Sequence, residues 1–129
     1  MPRKDVNLTP PTESQLYSDA VVANGMVFTT GQMPLDSNWD LIATDFDAQA
    51  RFVFERLATL LTASGSSPSD VIRLTIYLSD IDNTAALVPQ RRAFLGAARP
   101  ASVIVQTGNF GTPGMFLEVE AIATLTAQL

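Results

Sequence analysis

The sequence predicts a single α+β domain in which one mixed sheet carries two helices on one face, in the order β-β-α-β-α-β-β. Three observations predict it. Two short apolar runs flank Asn24-Gly25, the segment from Phe46 to Ser64 repeats its apolar residues at spacings of three and four, and three further β-rich runs are separated by glycine- and proline-rich loops. The length of 129 residues fits one domain, with residues 1–15 read as a polar, Pro-rich N-terminal arm and 16–129 as the folded body.

Taken in order, Ala20 to Ala23 and Met26 to Thr30 are read as antiparallel strands, because Asn-Gly between apolar runs favours the tight turn of a hairpin. Gly31 to Asp40, GQMPLDSNWD, supplies turn dihedrals and local side-chain hydrogen bonds and is read as a loop. Thr44 or Asp45 can cap the first helix, whose apolar stripe runs through Phe46, Ala50, Val53, Leu57, Leu60 and Leu61 opposite Asp47, Arg51 and Glu55. Gly65 ends it.

Val71 to Leu78 alternates, with Ile72, Leu74, Ile76 and Leu78 on one side and Val71, Arg73, Thr75 and Tyr77 on the other. Asp80 or Asp82 can cap a second helix from about Asn83 to Leu95, bent by Pro89 if that residue lies beyond the first turn, with Gly96 and Pro100 marking its end. Ala101 to Thr107 and Met115 to Ala127 complete the strands around the loop GNFGTPG. Crossover connections are nearly always right-handed, so both helices belong on one sheet face. The other face, expected to carry Val71, Tyr77, Phe116 and Ile122, is too apolar for water and predicts a homo-oligomer.

Composition narrows the chemistry. Hydrophobic residues make up 47% and charged residues 16%, which favours a packed core over disorder. The absence of Cys and His excludes disulfides, thiolate nucleophiles, Cys/His zinc sites and Ser-His-Asp catalysis. Lys4 is the only lysine and sits in the arm, which disfavours Schiff-base chemistry. A net charge of −5 argues against nucleic acid as a partner. The start MPRKDVNLTPP has no apolar signal region and no run approaches the ~20 residues of a membrane span, so a cytoplasmic protein without membrane partners is expected.

Carboxylates, tyrosines, hydroxyls and arginines remain. Glu118 and Glu120 alternate onto one face of MFLEVEAIATL, about 7 Å apart along a strand, where one can work as acid or base. A solvated or Arg-paired edge strand would read the same way. The turn Thr29 to Gln32 could offer backbone N–H groups to an anion, Arg91-Arg92 could clamp a carboxylate, and Trp39 could stack on a ligand or simply cover the core.

In combination these segments resemble the RidA family, also called YjgF/YER057c/UK114: LYSDAVVANGMVFTTGQMPLD, then SDVIRLTIYLSDIDN, then RPASVIV and LEVEAIATL, in the same order across residues 16 to 127. The resemblance implies a chorismate-mutase-like fold, a homotrimer with clefts between neighbouring subunits, and hydrolysis of reactive enamines and imines to 2-oxo acid and ammonia without metal or cofactor. By position, Tyr17, Thr30 and Gly31 match family substrate-binding residues, and Glu120 matches the glutamate proposed to hold the attacking water. Ser102 stands where the family arginine grips the substrate carboxylate, Ile104 where a cysteine is common, and Val88 where the second helix usually has Asn. The implied site is therefore Glu120 as the catalytic group, with Tyr17, Thr30, Gly31, Ser102 and Ile104 against a small-molecule ligand.

Loss of a two-pronged charge-assisted pair, worth roughly 1.5–3 kcal/mol, weakens binding of 2-imino acids unless Arg91 or Arg92 supplies the charge. Two classes of function follow. One is a hydrolase of a C=N bond in an altered substrate; the other is a metabolite-binding or chaperone-like trimer without turnover. A free Glu120 carboxylate inside a water-accessible cleft favours the first, and full pairing of Glu120 with an arginine the second. The endoribonuclease label of the family is disfavoured by the acidic charge.

Overall fold

A computed structural model describes residues 3–127. Its elements are β1 (Lys4–Val6), β2 (Ala20–Ala23), β3 (Met26–Thr29), α1 (Phe46–Ala63), β4 (Val71–Leu78), α2 (Thr84–Leu95), β5 (Ala101–Gln106) and β6 (Leu117–Thr124). The predicted elements are present in the predicted order, and β1 is added ahead of them. Within the arm, Lys4–Val6 pairs with β2 and Val6 is buried, so that segment is the edge of the sheet.

The six strands run in the order β1-β2-β3-β6-β4-β5. Pairing is antiparallel except between β4 and β5, which are parallel and joined through α2. β6 is thus a central strand, inserted between β3 and β4, and the edge-strand alternative for the Glu118/Glu120 segment does not hold. The β2–β3 turn places Asn24 at φ 53° and Gly25 at φ 75°, the left-handed pair that a type I′ turn requires.

The amphipathic helix α1 starts where the Asp45 carboxylate accepts from the Ala48 N–H at 3.0 Å. Its face of Val53, Leu57, Leu60 and Leu61 is wholly buried against the sheet, each such leucine contributing about 1.5–3 kcal/mol. Gln49 on that face is also wholly buried, and its amide bonds the Ala43 and Gly114 carbonyls and the Phe116 N–H at 2.8–2.9 Å. One polar side chain therefore fixes the loop that leads into β6. A short 3-10 turn, Ile81–Asn83, precedes α2, and Pro89 lies inside that helix.

On the helix side Leu74, Ile76 and Leu78 are buried as predicted, but a bulge between Val71 and Arg73 breaks the alternation. Val71 therefore turns into the core and Ile72 becomes exposed. The uncovered face keeps Tyr77 and Ile122 and gains Phe28, Val103 and Val105. Phe116 lies before β6 and packs on Phe46, with ring centroids 5.9 Å apart, so it does not belong to that face. Among the described residues no helix is long and apolar enough to cross a membrane.

Candidate functional site

A cleft of about 550 Å³ opens between the N-terminal arm, the segment 30–39, α1 and β6. Its walls are tied by local hydrogen bonds. The Thr30 hydroxyl donates to the Ser18 carbonyl at 2.7 Å and the Thr30 N–H to the Asp19 carbonyl at 2.8 Å, while Gln15 donates to the Tyr17 carbonyl at 2.8 Å. These bonds bring Tyr17, Thr30 and Gly31 to one cleft.

Gln32 continues the wall. It is 5% exposed, exchanges backbone hydrogen bonds with Val119, and accepts from Arg56 Nε at 3.1 Å through its side chain. The N–H groups of Thr30 and Gln32 are spent on backbone carbonyls, so the Thr29–Gln32 turn is not an open anion nest. Arg56, which sequence reading placed on no site, lines the cleft instead. Its position follows from α1 and from the buried glutamine, a contact that no local pattern announces.

The two glutamates on β6 share the uncovered face but have different surroundings. Glu118 is half-buried and lines the cleft, and a Cβ added at Gly31 would overlap its carboxylate. Burial, and then the charge of Glu120, push the Glu118 carboxyl above its ordinary value. Glu120 lies further along the strand and accepts a hydrogen bond from the Tyr77 hydroxyl at 2.7 Å. Neither glutamate forms an ion pair among the described residues. Within one chain it is Glu118, not Glu120, that meets Tyr17, Thr30 and Gly31.

Ser102 and Ile104 lie elsewhere. They pair with Leu74 and Ile76 on β4, whose side chains face the helices, whereas Glu120 pairs with Thr75 on the opposite face. Thus one chain does not bring Ser102 beside Glu120 and Thr30. Ser102 instead accepts from Arg91 Nη2 at 2.7 Å, so a guanidinium from α2 stands at the position in question. Val88, Arg91, Arg92 and Arg99 line a separate hollow of about 260 Å³ at the end of α2. Arg99 there donates to the Gly96 and Ala98 carbonyls at 2.8 and 2.7 Å, a helix-capping role.

Trp39 is 56% exposed and lines the cleft, so it does not cover the core. Its φ is 64°, a left-handed conformation costing a non-glycine residue about 1–2 kcal/mol. Asp36 imposes it: the carboxylate accepts from the Asn38 and Asp40 N–H groups at 2.8 and 3.0 Å, and Leu35 and Leu41 bridge the loop's base.

Comparison with known proteins extends the picture. The profile of the family described as Endoribonuclease L-PSP matches residues 8–125. A RutC family protein of Pyrococcus horikoshii is 33% identical over 108 residues, covering 83% of this chain and 85% of that protein. A 2-iminobutanoate/2-iminopropanoate deaminase of Salmonella typhimurium is 30% identical over 110 residues, covering 83% and 85% respectively. Among solved structures, a member of the YjgF/YER057c/UK114 family from Mycobacterium tuberculosis superposes with a TM-score of 0.82 at 27% identity, over 96% of this chain and 100% of that one. The six-stranded sheet with two helices on one face, the cleft beside Gly31 and a profile that spans nearly the whole sequence lead to one assignment: the chain belongs to the Endoribonuclease L-PSP family, the RidA or YjgF/YER057c/UK114 proteins.

Proposed function

We propose that this protein is a cofactor-independent hydrolase of a reactive imine or enamine, acting in the cytoplasm as a homotrimer whose clefts lie between subunits. The single observation that carries this reading is the state of Glu120. Its carboxylate lies on the uncovered sheet face, held by a neutral phenol and unpaired with arginine among the described residues. One oxygen takes the Tyr77 hydrogen bond, which leaves the other to orient water.

In that role Glu120 accepts a proton as the water oxygen attacks the C=N carbon, and returns it to nitrogen. The hydroxyl proton of the tetrahedral intermediate then passes through Glu120 to the nitrogen as the C–N bond breaks, giving a carbonyl compound and ammonia. Thr30 and Gly31 border the ligand and Tyr17 closes over it; since Glu118 and not Glu120 lines that wall within one chain, assembly brings Glu120 to the ligand from a neighbouring subunit, and Ser102 and Ile104 reach it from the edge strand β5. The uncovered apolar face supports assembly, since a copy of the same chain is the economical cover for it. With no arginine at 102, the substrate differs from a simple 2-imino acid.

The test is ammonia release from a panel of imines generated in situ, measured against the spontaneous rate. Glu120→Gln retains assembly and ligand binding but lowers turnover by about 10²-fold or more, the usual scale for a general acid or base. A drop in melting temperature with turnover per folded protein unchanged assigns Glu120 a structural role. Absence of release from every imine identifies a binding protein.

A further inference from the structure

We propose that Trp39 sets the substrate class of the cleft by stacking on a planar, conjugated group of the ligand, so that the C=N compound taken up is aryl- or otherwise π-conjugated. This deepens the reading above and rests on it for the C=N group alone. A single exposed apolar residue is ordinary on a protein surface. Three features together set Trp39 apart. Its indole is more than half exposed yet turned onto the 550 Å³ cleft, its backbone holds a left-handed φ of 64°, and the Asp36 carboxylate fixes that conformation with two hydrogen bonds.

The left-handed position is one that glycine fills without strain and a bulky ring fills only at a cost. A tryptophan there gives the core nothing in return, because it is exposed. What it gives is an aromatic surface, on a loop whose backbone is held, in a cleft also lined by Tyr17 and the half-buried Glu118. Aromatic walls recognise flat π systems, and a carboxylate beside them recognises N–H groups or positive charge on nitrogen. A protonated, conjugated C=N group offers both.

Trp39 is the chain's single tryptophan, so its fluorescence reports the cleft directly. Benzamidine, a stable planar C=N cation, is titrated against the intact protein with acetamidine as the ringless control. Saturable quenching by benzamidine, with acetamidine about tenfold weaker or more, is the expected result. Calorimetry on variants gives the second readout: Trp39→Ala weakens benzamidine about tenfold, Trp39→Phe recovers part of the loss, and Trp39→Gly does not lower the melting temperature. Equal affinities for the two amidines, or unchanged benzamidine affinity in Trp39→Ala, overturn the proposal. A lowered melting temperature in Trp39→Gly does so too, by making the ring structural. Ammonia release from aliphatic imines beside equal amidine affinities sinks only the stacking role, whereas ring-selective binding without ammonia release sinks only the hydrolase reading.

Discussion

The Tyr77 hydroxyl reaches Glu120 at 2.7 Å although the strand register sets Tyr77 opposite Glu118 and Thr75 opposite Glu120. The phenol thus crosses diagonally between β4 and β6, a reach open to aromatic side chains. Glu118 receives no hydrogen bond among the described residues, while Glu120 has a firm donor. Two carboxylates two residues apart are given unlike environments, the arrangement by which a pair of acids divides its work.

Tyr77→Phe removes that donor and keeps the ring. Turnover falls about tenfold or more, the scale of a hydrogen bond to a charged group of ~1.5 kcal/mol. The hydrogen bond to Glu120, desolvation and the charges of Glu120 and Glu118 all raise the Tyr77 phenol above its ordinary value. Its proton therefore stays in place through mildly alkaline pH, and the rate of the unmodified protein shows no alkaline fall attributable to Tyr77 below its ordinary value near 10. A pH–rate profile of both proteins checks this.

Glu118→Gln tests the raised carboxyl. A folded-state value above the unfolded one means that Glu118 favours the fold most when protonated, below the ordinary carboxylate range. That contribution is lost as pH rises through the raised value. The glutamine variant, which has no charge to desolvate, therefore gains melting temperature over the unmodified protein at pH 7, and the gain shrinks as pH falls to 4. A gap that is constant with pH would show that the Glu118 charge has no such cost.

Gly31→Ala places a methyl group where the Glu118 carboxylate lies. The overlap runs back from the carboxylate to Cγ, so the Glu118 side chain must swing aside as a whole, and melting falls by a few degrees. The carboxylate is displaced from the cleft wall, and turnover drops about tenfold or more, as expected when an active-site group moves by an ångström. Circular-dichroism melting and ammonia release on one preparation separate the two effects.

Local signals predicted much of this fold. Asn24-Gly25 announced the hairpin, and the spacing of Val53, Leu57, Leu60 and Leu61 announced α1, because each depends on neighbours in sequence. Lys4–Val6 gave no such signal, being three residues long and two-thirds charged; it is a strand because β2 offers an edge. The inward turn of Val71 comes from a bulge that strict alternation cannot foresee. That Glu118 and Glu120 share one face of the strand was legible, but which member lines the cleft depends on where Gly31 and Tyr77 lie across the sheet. Gln49, Gln32 and Arg56 were missed because the contacts that place them, Gln49 with Phe116 and Gln32 with Arg56, span 67 and 24 residues.

The uncovered sheet face supplies a test of assembly. Phe28 and Val103 are 42% and 37% exposed there, and a trimer would bury such residues between subunits. Light scattering of the unmodified protein gives about three times the 13.9 kDa chain mass, by the closed-symmetry expectation. Phe28→Asp and Val103→Asp each shift the mass toward that of one chain, since an uncompensated carboxylate in an apolar interface is costly. A monomeric unmodified protein would dismiss both the trimer and a cleft built between subunits.

Ser102 carries the last prediction. The serine is exposed at the start of the edge strand β5, and the only side chain bonded to it among the described residues is Arg91, through Nη2 at 2.7 Å. A guanidinium held from a neighbouring helix is not the same tool as one projecting from the strand, because part of its donor fork is already committed to the serine hydroxyl. The unmodified protein therefore releases 2-oxo acid from 2-aminoacrylate-type substrates at close to the spontaneous rate. Ser102→Arg combined with Arg91→Met, which removes the competing charge, raises that rate about tenfold or more, the equivalent of a charge-assisted pair of at least ~1.5 kcal/mol. Efficient hydrolysis by the unmodified protein, abolished by Arg91→Met alone, would instead make Arg91 the carboxylate anchor and return the substrate to the 2-imino acids.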